Sequence, residues 1–338
     1  MGGSIDLPFG LATSVGPLPC TEPAEAVRTA LRAQPDFPTA PTSGLTSGSL
    51  LAQAVDGIVG VEVLPPGLLR VHPDLGPVEL ASVGVDGDAY ASFRGFVTAI
   101  ASPPAIGVRI SLLGPVTVAL GLRAAGVPTA RAVELAEGVV ARRAAAMLGA
   151  VRATMPSGVV LVCASEPGLI GASHPTFPLA PAEVRSLLTP YVDALDQHPA
   201  AGELLIGVHV PGRTDWGTIV ASGVSVVSAP VDRGLAGWAG VLGDFMDRGG
   251  RVVWGAVPVD QPLGTSEELL WKRLSAMWCE LVGEGMDPLL LRSRSLVGPV
   301  DGLGHFGVSQ AERVLDLVDS LALRVRRQAI GARLTLGA

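Results

Sequence analysis

The sequence predicts an α/β fold, a single (β/α)8 TIM barrel over residues 1–338 with a long N-terminal loop and a hairpin excursion. Three observations predict it. Short β-branched runs bounded by Gly or Pro alternate with longer segments of helical period. Most of the short runs are apolar throughout, as expected where helices cover one face of a parallel sheet and a packed interior covers the other. No Gly-x-Gly-x-x-Gly and no phosphate loop follows any run, which disfavours the doubly wound open sheet that the same alternation could build.

Eight strands are expected at 11–16, 58–63, 107–113, 159–164, 204–209, 224–228, 252–257 and 289–296. Between the first two, 33–49 is rich in Pro, Ser, Thr and Gly and reads as a long loop over one barrel end. The segment 62–80 carries Pro65-Pro66-Gly67 between apolar runs and reads as a hairpin extending the second strand. Thr21 is a candidate cap for a helix with Pro23 in its first turn, and Pro181 suits the first turn of a helix starting near Ala180. Thr265 with Glu268, and Ser309 with Glu312, match the reciprocal capping box. The last helix shows a seam of Ala311, Val314, Leu315, Val318, Leu321, Ala322 and Val325, and its Arg324–Arg327 end suits a helix C-terminus. The five tryptophans lack stacking periodicity and are expected in the core or at interfaces.

Composition narrows the function classes. Hydrophobic residues make up 48% and charged residues 16%, enough for a large core and too little charge for a disordered chain. Net charge is −7 and the basic residues are scattered, so no nucleic acid is expected as a partner. Every apolar stretch is interrupted by Gly, Pro or charge before it could span a bilayer, and the first eight residues lack a signal-peptide pattern, so the expectation is no membrane and a cytoplasmic location. Cys20, Cys163 and Cys279 are far apart and form no disulfide or zinc-knot pattern, which suits a reducing compartment. The preference for Arg over Lys is that of a GC-rich bacterial genome.

In a barrel, chemistry belongs at the carboxyl ends of the strands. Those ends read Thr13-Ser14-Val15-Gly16-Pro17-Leu18-Pro19, Gly114-Pro115-Val116-Thr117, Ser165-Glu166-Pro167-Gly168-Leu169, His209-Val210-Pro211, Ala229-Pro230, and Gly298-Pro299-Val300-Asp301-Gly302-Leu303. In order and approximate spacing the series resembles the cobalamin-independent methionine synthase family, in its catalytic C-terminal barrel. That family has Thr-x-x-Ile-Gly-Ser-x-Pro, Gly-Pro-x-Thr, Asp-Glu-Pro-Ala, His-x-Cys, an acidic residue and Cys-Gly-Leu in the same order. The likeness runs from Ala12 to the last helix.

The resemblance implies a 5-methyltetrahydrofolate/homocysteine S-methyltransferase type of chemistry, part of one-carbon metabolism, in which zinc lowers the pKa of a substrate thiol. It assigns substrate binding to Val15, Gly16, Ser165, Glu166 and Thr117, and catalytic roles to His209 and Glu166. The family's zinc ligands fall on His209, Pro211, Ala229 or Pro230, and Asp301, and only His209 and Asp301 keep a donor side chain. Fewer than three protein ligands remain, so a degenerate zinc site and no bound metal are expected, unless Cys20, Cys163, Asp232 and His305 rebuild one. Pro17 and Ser165 replace a Ser and an Asp of the amino-acid pocket. Two readings follow: a methyltransferase-like enzyme, or a barrel that binds a small molecule or protein partner without zinc. The uroporphyrinogen decarboxylase reading shares only the fold and lacks its Arg-rich N-terminal segment.

Read on their own residues, His209 is an ordinary hydrogen-bonded histidine, Asp301 a turn aspartate, and Glu166 a loop acid at the barrel rim.

Overall fold

The computed structural model describes residues 5–43, 46–65, 67–72, 78–259 and 266–336. Its centre is a curled, all-parallel sheet of seven strands: β1 (Leu11–Ala12), β2 (Gly107–Leu113), β3 (Val159–Ser165), β4 (Leu204–His209), β5 (Val226–Pro230), β6 (Arg251–Val257) and β7 (Ser295–Pro299). The order across the sheet is β1-β7-β6-β5-β4-β3-β2, so each strand from β2 to β7 lies beside its successor and the last strand returns to the first. This is a mixed α/β architecture consistent with a TIM-like barrel. Helices α1 (Pro23–Ala33), α2 (Leu50–Val55), α3 (Ala91–Ala99), α4 (Pro115–Ala124), α5 (Thr129–Thr154), α6 (Pro181–Asp196), α7 (Trp216–Val220), α8 (Ala239–Asp247), α9 (Glu267–Gly283), α10 (Pro288–Ser293) and α11 (Val308–Leu336) fill the connections.

Apolar side chains alternate between two cores because strand residues alternate faces. Leu11, Leu161, Leu205, Val226, Val253 and Leu296 meet inside the curled sheet with Phe37. The opposite faces, with Val108, Val160, Val208, Val227 and Val297, pack under the helices in a second, larger cluster. The seam on α11 lies in that cluster, with Ala311, Val314, Leu315, Val318, Leu321, Ala322 and Val325 all buried. Trp254 and Trp278 meet edge to face with centroids 6.0 Å apart, and Trp271 meets Trp278 at 6.4 Å, so these three tryptophans pack together.

Several expectations are corrected. The segment 58–63 does not join the central sheet: Ile58–Val59 pairs antiparallel with Glu79–Leu80, and Val61–Leu64 with Leu68–Val71. The hairpin is present, but outside the sheet. Gly57 and Gly60, at φ +84° and +81°, turn the chain before either run can extend.

The place between β1 and β2 is taken by part of the expected loop. Thr39 bridges Arg109 in parallel; Arg109 N–H donates to Pro38 O at 2.9 Å and Ala40 N–H to Arg109 O at 2.8 Å. Further along, Pro17–Leu18 pairs in parallel with Thr42–Ser43. Three prolines, Pro35, Pro38 and Pro41, give this stretch a loop's composition, because each lacks an N–H and cannot complete a ladder.

Residues 289–293 of the expected last strand fall in α10, which is capped by Asp287, whose side chain accepts from Leu289 N–H at 2.7 Å, with Pro288 in the first turn. The strand begins only at Ser295. Glu22, not Thr21, precedes α1 and makes no side-chain cap. Thr265 lies outside the described residues, and Ser266 caps α9 instead. Ser309 is inside α11, where Gln310 accepts from Gly307 N–H at 3.2 Å. Arg324 and Arg326 sit within α11 rather than at its end; Arg324 pairs with Glu267 and Glu268 and stacks over Trp271, and Arg326 donates to Phe9 O.

Candidate functional site

Parallel register carries the strand-end motifs to one face. Leu113, Ser165 and His209 lie side by side on β2, β3 and β4, and His209 neighbours Ser228 on β5. Past these ends, backbone bonds continue the alignment: Gly114 N–H donates to Ser165 O at 2.8 Å and Glu166 N–H to His209 O at 2.8 Å. On the far side of the mouth, Leu303 N–H donates to Pro17 O at 2.8 Å, which ties the Asp301 loop to the first-strand turn.

Glu166 is completely buried, and its carboxylate closes the N-terminus of α4. It accepts from Val116 N–H at 2.9 Å, Thr117 N–H at 2.7 Å and Thr117 Oγ1 at 2.5 Å. Two of the donors that the first turn of a helix leaves unpaired are thus met by a side chain from a neighbouring strand. Thr117 Oγ1 in turn accepts from Gly168 N–H at 2.9 Å, so its hydroxyl is used in both directions. Burial pushes the Glu166 carboxyl up to about 7, against the pull of Thr117 and Val116 toward the ionised form. Gly114 makes the arrangement fit, since a Cβ there would lie 2.3 Å from the carboxyl carbon of Glu166.

His209 is also buried, and its two ring nitrogens have different surroundings. Nδ1 lies 2.8 Å from Ser228 Oγ. Nε2 has no hydrogen-bond partner and faces Asp301, whose carboxylate oxygen is 3.8 Å away, an electrostatic distance rather than a hydrogen bond. Burial lowers the His209 pKa, Asp301 opposes this, and the charge of Arg109 adds to it. For Asp301, burial favours the neutral acid, but His209, the Gly302 N–H and His305 outweigh it and hold the carboxyl below its ordinary value. A neutral imidazole beside a carboxylate is therefore the ground state. Asp301 and His305 border a cavity of about 290 Å³ with Pro17, Ser43, Leu113 and Gly67 of the hairpin.

The remaining residues of the motif series occupy the same end. Val15 is buried, and Gly16 sits at φ +121° with its carbonyl accepting from Thr42 N–H at 3.0 Å. Ser165 is buried with its carbonyl on Gly114. Thr117 serves Glu166 rather than opening toward the cavity.

The donors required by zinc do not assemble. Pro211, Ala229 and Pro230 offer no side-chain lone pair, and Cys163 is sealed inside the sheet with its Sγ 3.3 Å from Arg109 Nη2. Asp232 is bound to Arg213 and the Gly234 N–H. Cys20 is buried, and burial pushes its thiol pKa up. Among the described residues no group of three or more His, Cys, Asp or Glu side chains is placed to hold a metal ion. The set does not fit the tetrahedral site that the motif order implies.

Sequence reasoning missed Ser228, Arg109 and Ser111, which lie in the same interior. An inward serine next to His209 carries no motif, and Arg109 and Ser111 sit in a run whose other side chains are apolar; only parallel register places them together.

No protein-family model matches the chain, and no curated protein matches it. Among solved structures it is similar to a B12-independent methionine synthase from Shewanella sp. W3-18-1 in complex with selenomethionine, at TM-score 0.61 and 13% identity, over 96% of this chain and 99% of that one. Weaker likenesses include a broad-specificity endoglucanase from Bacteroides salanitronis, with TM-score 0.41, 13% identity and coverage of 94% and 96%. An Old Yellow Enzyme from Pichia sp. AKU4542 has TM-score 0.41, 10% identity and coverage of 94% and 82%. At 13% identity the likeness to the methionine synthase shows the fold alone. No helix among the described residues is long and apolar enough to cross a membrane.

Proposed function

We propose that this chain is a methionine-synthase-like barrel with an altered substrate, which binds a small molecule at the carboxyl ends of its strands without zinc. The observation that carries the reading is His209 Nε2, buried without a hydrogen-bond partner and aimed at Asp301 on the wall of the 290 Å³ cavity. A buried polar nitrogen is costly unless something pairs with it. Ser228 fixes the ring from the other side, as an orienting partner does for a proton-handling histidine. His209 is the proton acceptor in this reading, and Asp301 stabilises the imidazolium that would form.

Glu166 supports the site from below. Its oxygens are held by the start of α4, so its role is to position Gly114–Thr117 rather than to bind a substrate ammonium group.

Protein purified without added metal should contain well under one zinc per chain by elemental analysis, and chelators should leave its melting temperature unchanged. Calorimetry should show no homocysteine binding. A thermal-shift screen of small polar metabolites should yield ligands whose stabilisation is lost in His209→Ala and Asp301→Asn. Stoichiometric zinc that disappears in His209→Ala would overturn the reading in favour of metal-dependent methyl transfer to a thiol.

A further inference from the structure

Arg109, Arg143, Arg152 and Arg251 are all buried, but they are not buried alike. Arg143 donates to Gln53 O at 2.9 Å and Asp56 O at 2.6 Å. Arg152 reaches the carbonyls of Gly158, Ala201 and Glu203 at 2.8, 2.9 and 3.1 Å, and Arg251 reaches that of Ile5. Arg109, in the middle of β2, has only Cys163 Sγ at 3.3 Å on Nη2, while Nε and Nη1 have no protein partner. It makes no ion pair among the described residues. Two residues along β2 on the same face, the Ser111 hydroxyl is likewise buried and unpartnered.

A guanidinium held away from water is destabilising unless a counter-charge and acceptors compensate its lost hydration. Cys163 does not supply that charge, because burial pushes its thiol pKa up. The layer is tightly packed, which excludes a bulky anion: Ser111, Cys163 and Gly207 stand in register on three strands, and a Cβ on Gly207 would already lie 3.2 Å from Cys163 Sγ.

We infer that the sheet interior holds a small monovalent anion, of halide size, on the Nε and Nη1 protons of Arg109 and the Ser111 hydroxyl. The site lies one inward-facing layer below Ser165 and His209. Because the charge of Arg109 acts on His209, an anion there screens the imidazole from it and raises its affinity for a proton. It is independent of the zinc-free reading of the mouth, which stands or falls on its own measurements.

The probe is bromide. Crystals of the unmodified protein grown in sodium bromide should show an anomalous peak within hydrogen-bonding reach of Arg109 and Ser111. Melting temperature should rise by about 2 °C between sodium gluconate and sodium bromide at equal ionic strength. That rise should shrink in Ser111→Ala and vanish in Arg109→Met. Ordered waters with no anomalous signal at these nitrogens would overturn the inference, as would an equal halide response in the wild type and Ser111→Ala. Should Arg109→Met fail to fold, the anomalous map and the serine variant decide between the outcomes.

Discussion

Glu166→Gln tests how the fold treats a carboxylate that it both buries and hydrogen-bonds. Burial and the donors of α4 act in opposite directions, and burial prevails, so the carboxyl rises from 4.5 to about 7 in the folded chain. A group raised in this way binds its proton more tightly when folded than when unfolded. Its contribution to stability is complete below pH 4.5 and is lost as the pH rises through about 7. The rise corresponds to about 3 kcal/mol at full loss, an upper figure because the helix N-terminus still favours the anion. Glutamine is nearly isosteric with the protonated acid and does not titrate. Urea unfolding of both proteins from pH 4.5 to 8.5 should therefore show the wild type losing stability relative to Glu166→Gln as the pH rises, the gap (wild type minus variant) falling by about 2–3 kcal/mol. Taking the difference between the proteins cancels His209 and every other shared group. A gap that stays constant or widens with pH would refute the reasoning, and would mean that the α4 donors hold Glu166 ionised throughout.

Gly114→Ala should cost about 1–3 kcal/mol by chemical denaturation, since the new Cβ would lie 2.3 Å from the Glu166 carboxyl carbon. Thr117→Val should cost about 1–3 kcal/mol, because it removes the hydroxyl that donates to Glu166 and accepts from Gly168 N–H; retention of that hydroxyl in Thr117→Ser should recover most of the loss. His209 is depressed by burial from 6.5, so its stability contribution is present above that pH and lost as the pH falls through the folded value; His209→Gln should flatten the acid side of the stability curve below pH 6.5, read against the wild type.

The alternation of apolar runs with helical segments was enough to read the α/β class, because each strand with covered faces must be apolar throughout and each turn must carry Gly or Pro. Strands β2, β3, β4 and β6 were legible to within a residue or two for that reason, and so was the packed seam of α11. Local chemistry misled where tertiary pairing overrode it. The Pro-rich stretch around Thr39 lies beside β2, since Pro38 and Ala40 need only a carbonyl and an N–H in the right place. The Ile58–Leu64 region has strand composition but pairs with Leu68–Val71 and Glu79–Leu80 outside the sheet.

The same division holds at the site. Motif order alone selected Glu166, His209 and Asp301, residues 43 and 92 positions apart in succession, as belonging to one end of the molecule. Only the folded chain showed that Glu166 spends both oxygens on a helix start, that His209 Nε2 is left facing Asp301, and that Arg109 lies buried beneath them without a carboxylate. A sequence records which donors and acceptors exist. Which of them meet depends on strand register and on how much water the packed sheet excludes, and those are set by contacts between residues far apart in the chain.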